Sequence, residues 1–119
     1  MNWLYKQSTG ELQHGDQPAG IGYSGHGEGR NNPAMQAVHD VGPLPRGWYT
    51  IGPAHDTTTH GPHVMCLTPD AANDEDGRSG FLMHGDNVKH DASLGCIVMG
   101  PVIRYAVSAS TDKRLQVVA

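Results

Sequence analysis

Two stretches hold residue types that could form and break bonds. Phe81-Leu82-Met83-His84-Gly85-Asp86-Asn87 is followed by Ala92-Ser93-Leu94-Gly95-Cys96-Ile97-Val98, so a cysteine comes twelve positions after a histidine that ends an apolar run. An ordinary thiol has a pKa near 8.5 and is only a few per cent thiolate at neutral pH, so a nucleophilic cysteine needs a base. Imidazole titrates in the right range to take that proton and hand it on. The small residues ahead of Cys96 let backbone approach closely and make the N–H groups of Gly95 and Cys96 candidates for holding an oxyanion. The chain has eight histidines, so a His and a Cys also meet by chance. A buried structural cysteine and a strand-end histidine are the bland alternative.

Other candidates carry less chemistry. His55, His60 and His63 lack the spacing of a zinc site, and neither metal nor cofactor is expected. Gly25-His26-Gly27-Glu28-Gly29 has no Lys-Ser/Thr pair and no helix after it, so it reads as a loop and not as a phosphate cradle. Tyr23, Trp48 and Tyr49 are either groove-lining or core. Cys66 lies in the apolar run His63–Leu67 and reads as a buried free thiol. Two cysteines without a secretory leader do not argue for a disulfide.

The elements that must position His84 and Cys96 are short. The chain has 119 residues, of which 16 are glycine and 8 proline. One domain is expected at this length. So much Gly and Pro excludes long helices. Turn signals every eight to twelve residues indicate a mainly β architecture, a sandwich or barrel. Strands are expected at Trp3–Gln7, Glu11–His14, Ile21–Ser24, Trp48–Gly52, His63–Leu67, Gly80–His84 and Leu115–Val118. Residues 25–33, 54–62, 70–78 and 87–92 read as loops, that over 54–62 as a mobile one. Pro33–Val38 has room for one helical turn. Pro101–Ser110 alone has helical period, with Val102, Ile103, Ala106 and Val107 on one face.

Charge and hydropathy exclude several classes. Eight basic against twelve acidic residues give a net charge of −4, which argues against a nucleic-acid partner. No apolar run approaches the roughly 20 residues of a membrane span, so no membrane insertion is expected. Met1–Gly10 has no basic and apolar leader, so synthesis in the cytoplasm without a signal peptide is expected.

His84-Gly85 followed by Ser93-Leu94-Gly95-Cys96 resembles the YkuD-type L,D-transpeptidase signature, in which a His-Gly step precedes Ser/Thr-His-Gly-Cys. The likeness extends to Gly22-Tyr23-Ser24-Gly25, Asn31-Asn32-Pro33, Gly42-Pro43-Leu44-Pro45-Arg46-Gly47-Trp48-Tyr49-Thr50-Ile51-Gly52 and Gly77-Arg78-Ser79-Gly80-Phe81. Together these blocks resemble the L,D-transpeptidase effectors of type VI secretion systems, over roughly Asn2 to Val118. Leu94 stands where many YkuD domains have a second histidine, and the His-to-Cys spacing is shorter than in typical wall-building members. The base must then be His84.

The resemblance implies a YkuD-like β-sandwich with one short helix after the catalytic cysteine. It implies a monomeric antibacterial enzyme acting on peptidoglycan tetrapeptide stems in the periplasm of target bacteria, with the type VI secretion apparatus and a cognate immunity protein as partners. Cys96 would attack the carbonyl of the L-centre of meso-diaminopimelate, expel the terminal D-Ala and form a thioester. Water then gives L,D-carboxypeptidase activity, and a D-amino acid gives L,D-transpeptidase exchange. By the same likeness the Gly85 carbonyl orients His84. Arg78, Ser93, Asp86 and Tyr23 are the substrate-side candidates, with loop-steadying or turn roles as alternatives for Ser93 and Asp86 and a local ion pair for Arg78. The competing readings are a Cys/His endopeptidase or phage-type lysis amidase, and a non-catalytic wall-binding β-sandwich.

Overall fold

The computed structural model describes all 119 residues. Its elements in chain order are β1 (Trp3–Lys6), β2 (Glu11–His14), β3 (Gln17–Ile21), β4 (Tyr23–Ser24), β5 (Gly47–Ile51), β6 (His55–Thr57), β7 (Gly61–Pro69), β8 (Leu82–His84), β9 (Ile97–Val98), α1 (Pro101–Ala109) and β10 (Arg114–Val118). Two 3-10 turns, Gly27–Gly29 and Pro33–Met35, interrupt the loop after β4. The protein is mainly β with one short helix. No helix is long and apolar enough to cross a membrane.

Successive side chains of a strand point to opposite faces, and burial follows that alternation. Trp3 and Tyr5 of β1 face inward, as do Leu115 and Val117 of β10, and these strands pair in parallel with Trp3 opposite Leu115. The pairing order is β3-β2-β1-β10-β5-β7-β8-β9-β4, with β6 added on β7. β3 and β4 are the two ends of this path yet are consecutive in the chain. Gly22 alone separates them, so the sheet nearly closes on itself. Its N–H donates to Gly10 O at 2.9 Å, and a Cβ there would collide with the Val98 carbonyl, so the crossing requires glycine. One apolar cluster fills the interior, including Tyr5, Leu12, Tyr49, Met65, Met83, Ile97 and Leu115.

Four expectations are corrected. Cys66 is exposed, because Met65 and Leu67 on either side of it are the buried residues of β7. Residues 54–62 are not an open loop but the β6 strand and the tip of a hairpin onto β7. The expected strand Ile21–Ser24 is divided at Gly22, with its first half belonging to a longer β3. In α1, Val102 and Ala106 are exposed and Arg104 takes the inward place beside Val107. Arg104 can be buried there because Nη1 donates to Met99 O at 2.6 Å and Nε to His63 O at 3.2 Å.

Candidate active site

β8 and β9 bring the two candidate reactive residues onto neighbouring strands, with Cys96 two register positions from His84. They pair in parallel, with Met83 opposite Ile97 and His84 opposite Val98. Met83 and Ile97 both point into the core. By alternation His84 and Cys96, one residue ahead of β9, belong to the opposite face. Two core residues with no exposed surface thus anchor the neighbours of both reactive groups.

His84 is almost fully buried and its ring is fixed by its own strand end. Nδ1 lies 2.7 Å from Gly85 O, and a carbonyl only accepts, so Nδ1 carries the proton and donates. Nε2 is then the lone-pair nitrogen. It is buried and has no hydrogen-bond partner. Burial lowers the His84 pKa below the ordinary imidazole value. The Gly85 bond opposes that shift, and the His60 and Arg104 charges add to it. His84 is therefore a neutral imidazole in neutral solution, the form a general base requires.

Cys96 is half-buried and lines a cavity of about 290 Å³. Its Sγ has the Gly80 carbonyl as a polar neighbour at 3.9 Å, and no hydrogen bond joins it to His84. Burial raises its pKa, partly offset by a hydrogen bond from the Leu82 backbone and by the Arg78 charge. Burial thus favours the neutral thiol and the neutral imidazole over an ion pair. Catalytic hydrogen bonds are often long before substrate arrives and tighten in the complex.

Ser93, fully buried, organises the turn before Cys96. Its Oγ donates to Cys96 O at 2.6 Å and accepts from Gly25 N–H at 2.8 Å and Gly95 N–H at 3.1 Å. Its placement is that of a loop-steadying residue. The same bond engages the Gly95 N–H, so that group does not point freely at an oxyanion in this structure. The Cys96 N–H makes no hydrogen bond and remains available.

Arg78 is near Cys96 but is not an open fork for a carboxylate. Nη1 donates to Gln36 O at 2.6 Å and Pro43 O at 2.8 Å, and Nη2 to Gly42 O at 3.0 Å and Leu94 O at 3.4 Å. It ties the 36–43 segment to the cysteine turn. Gly95 has φ +130°, and a Cβ there would strike Arg78 Nη2, which explains a glycine immediately before the cysteine.

Asp86 and Tyr23 form a second tie. Tyr23 Oη donates to Asp86 Oδ1 at 2.6 Å and accepts from Ala92 N–H at 2.8 Å. Asp86 also accepts from Asn87 N–H at 2.8 Å and pairs with His90 Nδ1 at 2.8 Å. These bonds hold the Asp86 carboxyl below the usual carboxylate range, although burial works the other way. Burial, with the bond to Asp86, pushes the Tyr23 phenol up to about 12. Both residues bracket the 86–92 loop and neither hydrogen-bonds His84.

Sequence reasoning did not single out Ser24 or Arg104 at the site, and it weighed His60 only as a metal ligand. Ser24 Oγ accepts from Leu44 N–H at 2.8 Å and donates to Gly95 O at 3.4 Å, although its block of residues was noted. Arg104 lies under Gly85, whose Cβ would come within 2.9 Å of Nη1. A charge on the apolar stripe of the helix was its available signal. His60 stands at the hairpin tip with its ring centroid 4.8 Å from that of His84, and no local pattern announces it.

Comparison with protein families matches residues 19–119 to a family described as the Tlde1 domain. No curated protein and no solved structure matches the chain.

Proposed function

The chain belongs to the Tlde1-domain family of type VI secretion L,D-transpeptidase effectors, and from that premise we propose that it is a cysteine L,D-carboxypeptidase and L,D-transpeptidase of peptidoglycan tetrapeptide stems. The observation that carries the mechanism is the His84 Nδ1–Gly85 O bond, which leaves a buried, unpartnered Nε2 on the strand beside Cys96.

The steps follow from these groups. Nε2 takes the Sγ proton as sulfur attacks the carbonyl carbon between the diaminopimelate L-centre and the terminal D-Ala. The carbonyl π electrons move to oxygen, where the free Cys96 N–H is the backbone donor. The tetrahedral adduct collapses, the C–N bond breaks, and the imidazolium returns its proton to the departing D-Ala amine. A thioester remains on Cys96. Water releases it as the tripeptide stem, and the amine of a D-amino acid releases it as an exchanged tetrapeptide.

The cleft suits a charged peptide better than an apolar ligand, since His39, Asp40, His60 and Arg78 line the Cys96 cavity. Loss of the terminal D-Ala removes the donor bond that cross-linking needs, which is how such an enzyme harms a rival cell. The producer would require an immunity protein that blocks this cleft. We place its action in the periplasm of target bacteria, after delivery by the type VI apparatus as a monomer.

The test is mass analysis of purified disaccharide-tetrapeptide incubated with the protein and with its Cys96→Ala variant. Loss of one D-Ala, or its replacement by an added D-amino acid, with the intact cysteine alone is the expected result. Cleavage inside the stem would replace this reading with an endopeptidase. An unaltered stem would replace it with a binding module.

A further inference from the structure

We infer that His60, at the tip of the β6–β7 hairpin, is a second catalytic imidazole that donates a hydrogen bond from Nε2 to the acyl oxygen at Cys96. The inference rests on Cys96 being the acylated nucleophile proposed above. Three observations carry it.

His60 lines both cavities of the site, the one containing Cys96 and an adjoining one of about 380 Å³ containing His84, Gly85 and Asp86. It is the one residue common to their walls.

The orientation of the ring is set locally. Thr57 Oγ1 accepts from His60 N–H at 2.8 Å and donates to Gly61 O at 3.3 Å, which closes the turn. Thr59 Oγ1 lies 2.9 Å from His60 Nδ1 and has no other partner. In the proposed arrangement the hydroxyl donates to Nδ1, and the ring proton then resides on Nε2. His84 has the reverse arrangement, its proton on Nδ1 and its lone pair on Nε2. The two rings, 4.8 Å apart and inclined at 51°, therefore offer one base and one donor to the same cleft.

The site also lacks a donor. The Gly95 N–H is engaged by Ser93 Oγ, which leaves the Cys96 N–H as the unengaged backbone donor of this turn. An oxyanion accepts more than one hydrogen bond, and the imidazole at the hairpin tip supplies the second.

The test uses p-nitrophenyl acetate, an activated ester that acylates a thiol without peptidoglycan recognition. All proteins carry Cys66→Ser so that the exposed thiol is silent. Acylation is read from the p-nitrophenolate burst of the parent, His60→Gln and His60→Phe. Gln retains an N–H donor, and Phe retains the ring without one. His60→Phe should acylate about 100-fold more slowly, the usual cost of an oxyanion donor, with His60→Gln within about tenfold of the parent. Iodoacetamide alkylation of Cys96 develops no oxyanion and should be equal in all three. The inference is overturned if Phe acylates like the parent, if Gln is as slow as Phe, if alkylation falls in step with acylation, or if the parent gives no burst. The ester arm decides this inference even where the tetrapeptide is left intact, so its failure and that of the proposed substrate are read separately.

Discussion

Replacing Ser93 by alanine removes a single oxygen that makes three hydrogen bonds in a place with no solvent access. Alanine leaves the N–H groups of Gly25 and Gly95 without their acceptor and the Cys96 carbonyl without its donor. A buried polar group that loses its partner costs about 1–3 kcal/mol. The carbonyl has a second lone pair and the cavity left is small, so the total comes to about 3 kcal/mol. Urea slopes for small domains are about 1–3 kcal/mol/M, so the midpoint should fall by about 1.5 M with an unchanged slope. Gly25 and Gly95 both have positive φ, at +97° and +130°, and the two segments that Ser93 ties together there would relax. The rate of iodoacetamide capture at Cys96 should change with it. Ser79→Ala is the control, an exposed serine whose side chain makes no hydrogen bond, expected within about 0.5 kcal/mol of the parent. A Ser93→Ala loss below about 1 kcal/mol would refute the reasoning.

Further expectations follow from the same geometry. Arg104→Met should lower stability by about 2–4 kcal/mol in urea titration, because the Met99 and His63 carbonyls lose their buried donor. Gly85→Ala should destabilise by about 1–3 kcal/mol, since its Cβ would press on Arg104 Nη1 at 2.9 Å, and Arg104→Met in the same chain should relieve part of that cost. Cys96 alkylation should rise with pH with its midpoint above the ordinary thiol range, because burial raises that pKa, whereas a plateau already present near pH 6 would indicate an ion pair instead. The His84 pKa is lowered in the folded state, so the unfolded chain binds more protons at mildly acidic pH. Stability should therefore be fully retained above about pH 6.5 and decline as pH falls below it, and His84→Asn should reduce that decline in urea midpoints measured from pH 5 to 8.

The strands that could be read from sequence are those whose inward residues alternate over four or more positions. β1, β2, β5 and β10 were read to within a residue or so because Trp3/Tyr5, Leu12, Tyr49/Ile51 and Leu115/Val117 carry the pattern. β9 has two residues and β6 three, too short for any period to emerge, and each exists because a longer neighbour offers free backbone groups. Cys66 was misread for a related reason. An apolar run gives no phase by itself, and only the pairing of Met65 with Met83 decides which side faces the core.

At the site, His84 and Cys96 were legible because their chemistry depends on residue type and on glycines at fixed positions. The structure adds physical reasons for those glycines, Arg104 against Gly85 and Arg78 against Gly95. Arg78 and Tyr23 illustrate the limit. A guanidinium and a phenol near a cleft look alike in sequence whether they face a substrate or a ring of carbonyls. The partners that decide it, Gln36, Gly42 and Pro43 for Arg78, lie about 40 positions away in the chain. His60 was weighed only as a metal ligand, and its place beside His84 was not legible, since a polar hairpin tip holds no pattern until β7 bends it back over β8.

The central claim is that Cys96 carries the acyl group, and intact-protein mass spectrometry with peptide mapping tests it most directly. The protein is mixed with disaccharide-tetrapeptide, quenched in acid within milliseconds to seconds and digested. The account predicts a disaccharide-tripeptidyl thioester on the peptide containing Cys96, absent from Cys96→Ala and formed far more slowly by His84→Ala. Product released with no adduct on Cys96, or with the adduct on Cys66, would contradict it.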